Sequence, residues 1–361
     1  MKIGIIGTRG IPNNYGGFEQ LAEYLSLGLV EKGHDVVVYN SHNHKYTQST
    51  WRGVNIVHCF DPERNIGTVG QFIYDLNCIL DSRKRGFDAI INLGYTSSAI
   101  WMGLFARKAK VITNMDGMEW KRSKYSAKVQ AFLKFSEKRA VKHSYKLVAD
   151  SLAIKDYLEK EYRADVTFIA YGSDLFSEGD AHALLPYKIT PFGYSLLIAR
   201  MEPENNIEMI LDGLCASETK QPFLVTGNIK NKFGRYLAHK FEKEERIVFT
   251  GPVYQPSIIN NLRFYSNLYF HGHSVGGTHP SLLEAMGCKA LVAAHNNVFN
   301  KSVLGPDAYY FSSAGDVKLI LDGAGRSGKE ASLYIERNFR KIAEEYTWKK
   351  IIDSYEELVK L

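Results

Sequence analysis

Residues 1–39 read MKIGIIGTRGIPNNYGGFEQLAEYLSLGLVEKGHDVVVY. Lys2–Gly7 is an apolar run of strand length, without the alternation of a half-exposed strand. Phe18, Leu21, Leu25 and Leu29 then recur at helical spacing and form one apolar stripe. Gly33 follows as a C-cap, and Asp35–Tyr39 is a second apolar strand. Two apolar strands joined by a helix are parallel neighbours in a sheet covered on both faces. This unit sets the fold class as α/β.

The same alternation runs outward from it. Val54–His58, Ala89–Asn92, Lys110–Thr113, Lys146–Asp150 and Val166–Ile169 continue the strands, with helices between most of them, including Ala127–His143 and Ser151–Glu161. The pattern then restarts. Ser195–Ala199, Phe223–Thr226, Arg246–Phe249, Asn267–His271 and Ala290–Ala294 read as strands, and Glu204–Ser217, Lys232–Lys240, Pro256–Phe264 and Ser281–Met286 as helices. Gly172–Tyr194 carries Gly, Pro and Ser without a period and reads as the connection. The expected architecture is two Rossmann-like, doubly wound domains, 1–172 and 173–345, facing each other across a cleft. An amphipathic helix in 346–361 follows them. With 361 residues, 45% of them hydrophobic, the chain can fill two cores.

Composition narrows the classes. No apolar run approaches the roughly 18 residues that cross a bilayer, and Met1–Gly7 reads as a buried strand rather than a signal peptide. Cys59, Cys78, Cys215 and Cys288 are scattered with no CxxC spacing, which argues against a disulfide framework or zinc site and for thiols in a reducing cytoplasm. The net charge of +6 suits an anionic ligand or an anionic membrane surface. No nucleic-acid motif accompanies it, so nucleic acid is not an expected partner.

In doubly wound sheets, ligands bind beyond the carboxyl ends of the strands, so the loops there carry the candidates. Gly7-Thr-Arg-Gly-Ile-Pro-Asn-Asn-Tyr-Gly16-Gly17 opens the first helix. Gly16 and Gly17 let backbone approach an anion at a helix N-terminus, and Arg9 adds charge, although the loop is not a G-x-G-x-x-G fingerprint. After Lys110–Thr113 comes a loop with Asp116, Glu119, Trp120, Lys121, Arg122 and Lys124. Asp116 or Glu119 is placed to bind sugar hydroxyls or act as a base, the cations to meet phosphate, and Trp120 to stack on a sugar or anchor at an interface.

In the second half, Arg200 follows the first strand and is placed to meet a diphosphate. Lys232 is a further phosphate candidate, and Val253 with Tyr254 is placed to border a base. His271-Gly-His273-Ser-Val-Gly276-Gly277-Thr278-His279-Pro280 leads into a helix whose amides suit a phosphate, with Glu284 about one turn inside for ribose hydroxyls. His271 and His273 have no third ligand nearby, so no metal site is expected. No two Asp residues are spaced D-x-D, so helix termini and basic side chains are expected to neutralise a leaving diphosphate.

These residues together resemble glycosyltransferase family 4, with the two-domain GT-B fold, over nearly the whole chain. Pro280-Ser-Leu-Leu-Glu284-Ala-Met resembles the signature at that family's donor site. The resemblance implies that Glu284 binds the nucleotide ribose and that Arg200 belongs to a diphosphate clamp. It implies that the segment with Trp348 is a last helix crossing back to the N-terminal domain. Gly276 stands where the family has an earlier Glu, and Asn205 where it has a clamp Lys, with Lys232 or Arg9 as the expected compensation.

A narrower likeness joins the first loop from Gly7 through Tyr15 to Glu19, Asp116-Gly-x-Glu119-Trp120-x-Arg122, and His271-Gly-His-Ser-Val-Gly-Gly-Thr. In order, these motifs resemble bacterial polysaccharide rhamnosyltransferases. The resemblance implies a retaining, metal-independent enzyme that needs no cofactor and takes L-rhamnose from dTDP-L-rhamnose. Its acceptor would be a saccharide on a polyprenyl-diphosphate lipid, at the cytoplasmic face of the inner membrane, in capsule or cell-wall synthesis. Asp116, Glu119 and Arg200 would be catalytic. Arg9, Gly16, Gly17, Arg200, Lys232, Val253, His273, Gly276, Gly277, Thr278 and Glu284 would hold the donor. Tyr15, Asp116, Glu119, Trp120 and Arg122 would hold the acceptor. Transfer of another hexose from a UDP or GDP donor, a nucleotide-sugar epimerase, and a non-catalytic sugar-nucleotide-binding protein are the other classes the motifs allow.

Overall fold

The structure is a computed structural model that describes residues 1–14, 16–122 and 125–361, so Tyr15 and Lys124 lie outside the described residues. The chain forms two compact units, one of Met1–Gly172 with Trp348–Leu361, the other of Ser173–Thr347.

The first unit runs β1 (Lys2–Ile6), α1 (Gly17–Glu31), β2 (Asp35–Ser41), β3 (Thr50–Trp51), β4 (Val54–Cys59), α2 (Glu63–Ile66), α3 (Val69–Ser82), β5 (Ala89–Leu93), β6 (Lys110–Asn114), α4 (Ala127–His143), β7 (Lys146–Ala149), α5 (Leu152–Tyr162) and β8 (Val166–Phe168). Its sheet order is β3-β4-β2-β1-β5-β6-β7-β8, parallel except for β3 against β4. The central strands are buried along their whole length, which is why their sequences read as unbroken apolar runs. β1 lies between β2 and β5, where the strand order reverses.

The second unit runs β9 (Ser195–Ile198), α6 (Ile207–Ala216), β10 (Phe223–Thr226), α7 (Lys232–Lys240), β11 (Ile247–Gly251), α8 (Pro256–Phe264), β12 (Leu268–His271), α9 (Pro280–Gly287), β13 (Val292–His295), α10 (Val298–Leu304), β14 (Tyr309–Phe311), α11 (Ala314–Gly323) and α12 (Lys329–Glu345). Its strands are all parallel, in the order β11-β10-β9-β12-β13-β14, with the reversal at β9. One core cluster joins Leu197, Phe223, Phe270 and Phe311 to Ile207, Leu211 and Val317. The other face is packed by Leu196, Leu224 and Tyr269.

Three local expectations shift. The connection Gly172–Tyr194 holds a 3-10 turn, Ala181–Tyr187, and its Leu184 is buried with Tyr194 in the second unit's core. The helix expected from Glu204 starts at Ile207, because Pro203–Asn205 forms a 3-10 turn and Asn206 is left-handed at φ 50°. Tyr346 and Thr347 lie with the second unit, and the last helix, α13 (Trp348–Lys360), begins just after them.

α13 packs within the first unit. Trp348 stacks on Tyr24 of α1 at 4.1 Å between ring centroids, Tyr355 accepts a 3.0 Å hydrogen bond from the Asn114 carboxamide, and Lys32 and His34 both pair with Glu356. The amphipathic pattern of α13 is therefore spent on this unit, with Ile351, Ile352, Leu358 and Val359 buried. Trp348→Ala is expected to destabilise the first unit by about 3 kcal/mol or more. Urea unfolding followed by near-UV circular dichroism checks this, and a loss under about 1 kcal/mol would remove α13 from the core of the unit.

Candidate functional site

In the second unit, the loops that leave β9 and β12 flank the strand-order reversal, the place where open α/β sheets bind ligands. They are tied to each other. Ser274 donates through both N–H and hydroxyl to the Glu204 carbonyl at 3.1 and 2.8 Å, and the Asn206 carboxamide donates to the Gly272 carbonyl at 2.7 Å. A side chain at Gly272 would stand 2.0 Å from the Asn205 carbonyl oxygen, so the two loops touch backbone to backbone. The third loop, after β10, joins through Asn231, which caps α7 and donates to the Met201 carbonyl at 2.7 Å.

This construction gathers most of the donor residues expected in this half. Arg200 is exposed at the end of β9. Asn205, at the clamp Lys position, is buried and donates to the carbonyl of Arg200 itself at 2.7 Å, so it holds the loop. Lys232 is exposed at the start of α7, and Val253 is half-buried after β11 beside an exposed Tyr254. Gly276, Gly277 and Thr278 are buried in the turn before α9. Gly276 has φ 117°, and a Cβ there would lie 3.0 Å from the His279 ring, so the backbone and His279 together exclude a larger residue.

Three imidazoles line this turn. His271 and His273 stack at 4.4 Å, His273 and His279 sit at 4.4 Å, and His279 is the N-cap of α9. His271 is 1% exposed, neither of its ring nitrogens has a hydrogen-bond partner, and burial holds it well below its ordinary pKa. Its ring is therefore neutral, and it backs the loop as an uncharged plate. Among the described residues, no group of three or more His, Cys, Asp or Glu side chains is arranged to hold a metal ion. Glu284, about one turn into α9, is a quarter exposed and forms an ion pair with Arg263 of α8, a residue the sequence reading did not single out.

The first unit distributes its candidates differently. The guanidinium of Arg9 pairs with Glu63 through two hydrogen bonds of 3.2 and 2.9 Å, and its N–H donates to buried Glu19. Arg9 is thus held in an ion pair with Glu63, which lies too far along the sequence for spacing to suggest it. Gly16 caps α1 in extended backbone, and Gly17 is its first residue. Asp116 is left-handed at φ 51°, its N–H donating to Asn114 Oδ1 at 3.0 Å, so the carboxylate is displayed by a tight Asx turn. Glu119 is buried and takes Arg122 at 2.7 and 2.6 Å.

Trp120 donates its indole N–H to Glu137 at 3.1 Å, with Lys134 over its ring. Glu137 is a hub: it also accepts from Tyr157 and Tyr162, each at 2.6 Å, and from Lys134 at 3.1 Å. The sequence reading missed this residue because a lone Glu in a basic helix reads as solvated charge. It also missed Asp75, buried on α3, which accepts from Ser97 at 2.6 Å and is pushed up to about 7 by burial.

Sucrose-phosphate synthase from Thermosynechococcus elongatus superposes with a TM-score of 0.80 at 13% identity, over 99% of this chain and 98% of that one. Anabaena HepE, solved with UDP and glucose, gives 0.79 at 14% identity, over 100% and 99%. WaaG, a glycosyltransferase involved in lipopolysaccharide biosynthesis, gives 0.75 at 10% identity, over 99% of each chain. The fold is GT-B. A family model described as a domain of unknown function, DUF1972, matches residues 1–174. No curated protein matches the chain. The GT-B assignment accounts for both reversals of strand order and for the last helix returning to the first unit.

His271 gives the GT-B chain a pH signature. The ring stays neutral in the fold but binds a proton in the unfolded chain below its ordinary value of 6.5, so the unfolded state takes up more protons and stability falls as pH falls. The stability difference between wild type and His271→Phe should move against wild type by about 1.4 kcal/mol per pH unit below that value. Urea unfolding of both between pH 7 and pH 5 measures it; parallel curves would mean that the ring is solvated.

Proposed function

We propose that the chain is a glycosyltransferase of family 4, with a nucleotide-sugar donor on the second unit. The observation that carries this is the joined loop pair after β9 and β12 at the strand reversal, with the exposed Arg200 on one loop and the other leading into α9, which carries Glu284. HepE, of the same fold over its whole length, was solved with UDP and glucose. Arg200 and the amides of the Gly276–His279 turn stabilise the leaving diphosphate, which holds the charge that builds as the glycosidic bond breaks. Glu284 takes the donor's furanose.

Retention of configuration is the proposed course, with a departing phosphate oxygen taking the acceptor's proton. Asp116 and Glu119 in the first unit are proposed to orient the acceptor or sugar. The donor proposed is dTDP-L-rhamnose, from the ordered motifs shared with polysaccharide rhamnosyltransferases. UDP-hexose is the second reading, favoured by the HepE ligands.

The acceptor proposed is a lipid-linked saccharide in surface polysaccharide synthesis, reached by peripheral contact with the cytoplasmic face of the membrane. No helix among the described residues is long and apolar enough to cross a membrane. The exposed face of α4 supports surface contact: Lys128, Lys138, Lys142 and His143 surround exposed Val129 and Phe135, while the helix's one acid, Glu137, is turned inward. That face replaces Trp120 as the anchor, since Trp120 is drawn inward by Glu137.

Donor titration by calorimetry with dTDP-L-rhamnose, UDP-glucose and GDP-mannose, followed by turnover assays, tests the reading. Glu284→Ala should weaken donor binding about tenfold, and Arg200→Ala should lower kcat about a hundredfold with a smaller change in KM. Wild-type constants in both variants would remove the second unit's loops from the donor site. Donor hydrolysis or isomerisation without any acceptor would favour an epimerase.

A further inference from the structure

Residues 64–145 hold fifteen Lys and Arg against six Asp and Glu, more than the whole cationic excess of the chain, so acids outnumber bases outside this segment. It contains α3, the 3-10 turn Ala99–Leu104 and α4. From β4 through β7, chain order and sheet order run the same way, so right-handed crossovers put these three elements on one face of the first sheet. They are tied edge to edge. Trp101 Nε1 donates to the Phe72 carbonyl at 2.9 Å, Arg139 Nε to the Ala99 carbonyl at 3.2 Å, and the rings of Phe72 and Phe132 sit 5.7 Å apart.

α3 buries Tyr74, Cys78 and Ile79 on its inner side, yet its outer side is apolar too. Val69, Ile73 and Leu80 are exposed, and half-buried Leu76 stands between the last two, at helical spacing along the row. Phe60 joins them: it is exposed, and its carbonyl accepts from Asn77 of α3 at 2.9 Å. A single exposed Leu is ordinary, whereas a row along three turns marks a surface that something covers. Exposed Arg83 and Lys84 close the row just past α3, and exposed Lys128, Lys138 and Lys142 lie along α4. The acids of the two helices are withdrawn: Asp75 and Glu137 are buried, and Asp81 pairs with Arg85. A second copy docked face to face would set these cations against one another. An apolar row rimmed by cations matches the boundary between headgroups and acyl chains of an anionic bilayer. We propose that α3 is an interfacial helix that lies in the plane of an anionic membrane with Val69, Ile73, Leu76 and Leu80 below the headgroups, while Lys128, Lys138 and Lys142 of α4 pair with lipid phosphates. This rests on the membrane-contact reading above and adds the element that enters the bilayer.

Vesicles of phosphatidylcholine, alone and with about one-third phosphatidylglycerol, make the test. In co-sedimentation at low salt, wild type should bind the anionic vesicles about tenfold more tightly than the neutral ones or better. Ile73→Trp and Leu80→Trp should each add fluorescence that lipids brominated in their acyl chains quench, and Leu319→Trp, at an exposed position of α11 in the second unit, should add none that they quench. Ile73→Ser combined with Leu80→Ser should weaken vesicle binding about tenfold or more and keep a cooperative thermal transition. Binding without quenching at 73 or 80 overturns the insertion of α3 and leaves contact through α4 standing. Equal affinity for the two vesicles overturns the pairing with anionic lipid. A wild-type dimer that the double serine variant dissociates assigns the row to a second copy and overturns the inference as well. If neither vesicle binds wild type, the membrane-contact reading falls and takes the inference with it. If the double variant has no cooperative transition, the two tryptophan variants decide.

Discussion

The loops of both sheets depend on one device, the carboxamide of asparagine closing on main-chain groups at the carboxyl ends of strands. A parallel strand that stops leaves carbonyls and N–H groups without ladder partners, and burying them unmet is costly. In the second unit, Asn205 closes on Arg200, Asn206 on Gly272, Asn231 on Met201, and Asn297 and Asn300 both on His273. In the first, Asn40 meets both the N–H and the carbonyl of Ile11, Asn92 meets Gly94, and Asn114 meets Asp116. A carboxamide offers donor and acceptor without charge. An acid in these places would add charge beside Arg200 and Lys232; the neutral staple adds none. The backbone at the mouth of the sheet is therefore satisfied without adding negative charge.

Charge in the first unit is carried in pairs and networks. There, cations are tied to acids: Arg9 to Glu63, Arg122 to Glu119, Lys134 to Glu137. Glu137 draws an indole, two phenols and an ammonium onto one carboxylate, which fixes the loop that presents Asp116. Such a network specifies one arrangement more than it adds free energy, because each partner gives up hydration to join it.

Strands and their order of appearance were legible because both sheets bury their central strands on two faces, leaving unbroken apolar runs. β3 and β14 were not, since two and three residues carry no period. The loop motifs were legible as sites because glycine, histidine and charge cluster there beyond any structural need. Which charges pair was not legible: Arg9 meets a residue 54 positions on, and Arg263 meets Glu284 across two elements. Pairing is set by how helices lie over a sheet, and sequence spacing says nothing about that beyond one helix. The same holds for Trp120, whose flanking lysines suggest an interface until Glu137 is seen beneath it.

Seen this way, the two departures from the family the chain resembles have structural causes. Gly276 occupies a left-handed turn with the His279 ring against the place where its Cβ would be, so a glutamate there would strain the backbone and displace the N-cap of α9. Asn205 is buried, and its carboxamide is the tie that shapes the Arg200 loop; a lysine would bring a charge into that interior and leave the Arg200 carbonyl without its short partner. A loop that had merely lost two ligands would keep its old backbone and show a gap. Here each replaced residue is built into the turn it occupies, and the imidazoles and the Arg263–Glu284 pair stand around them.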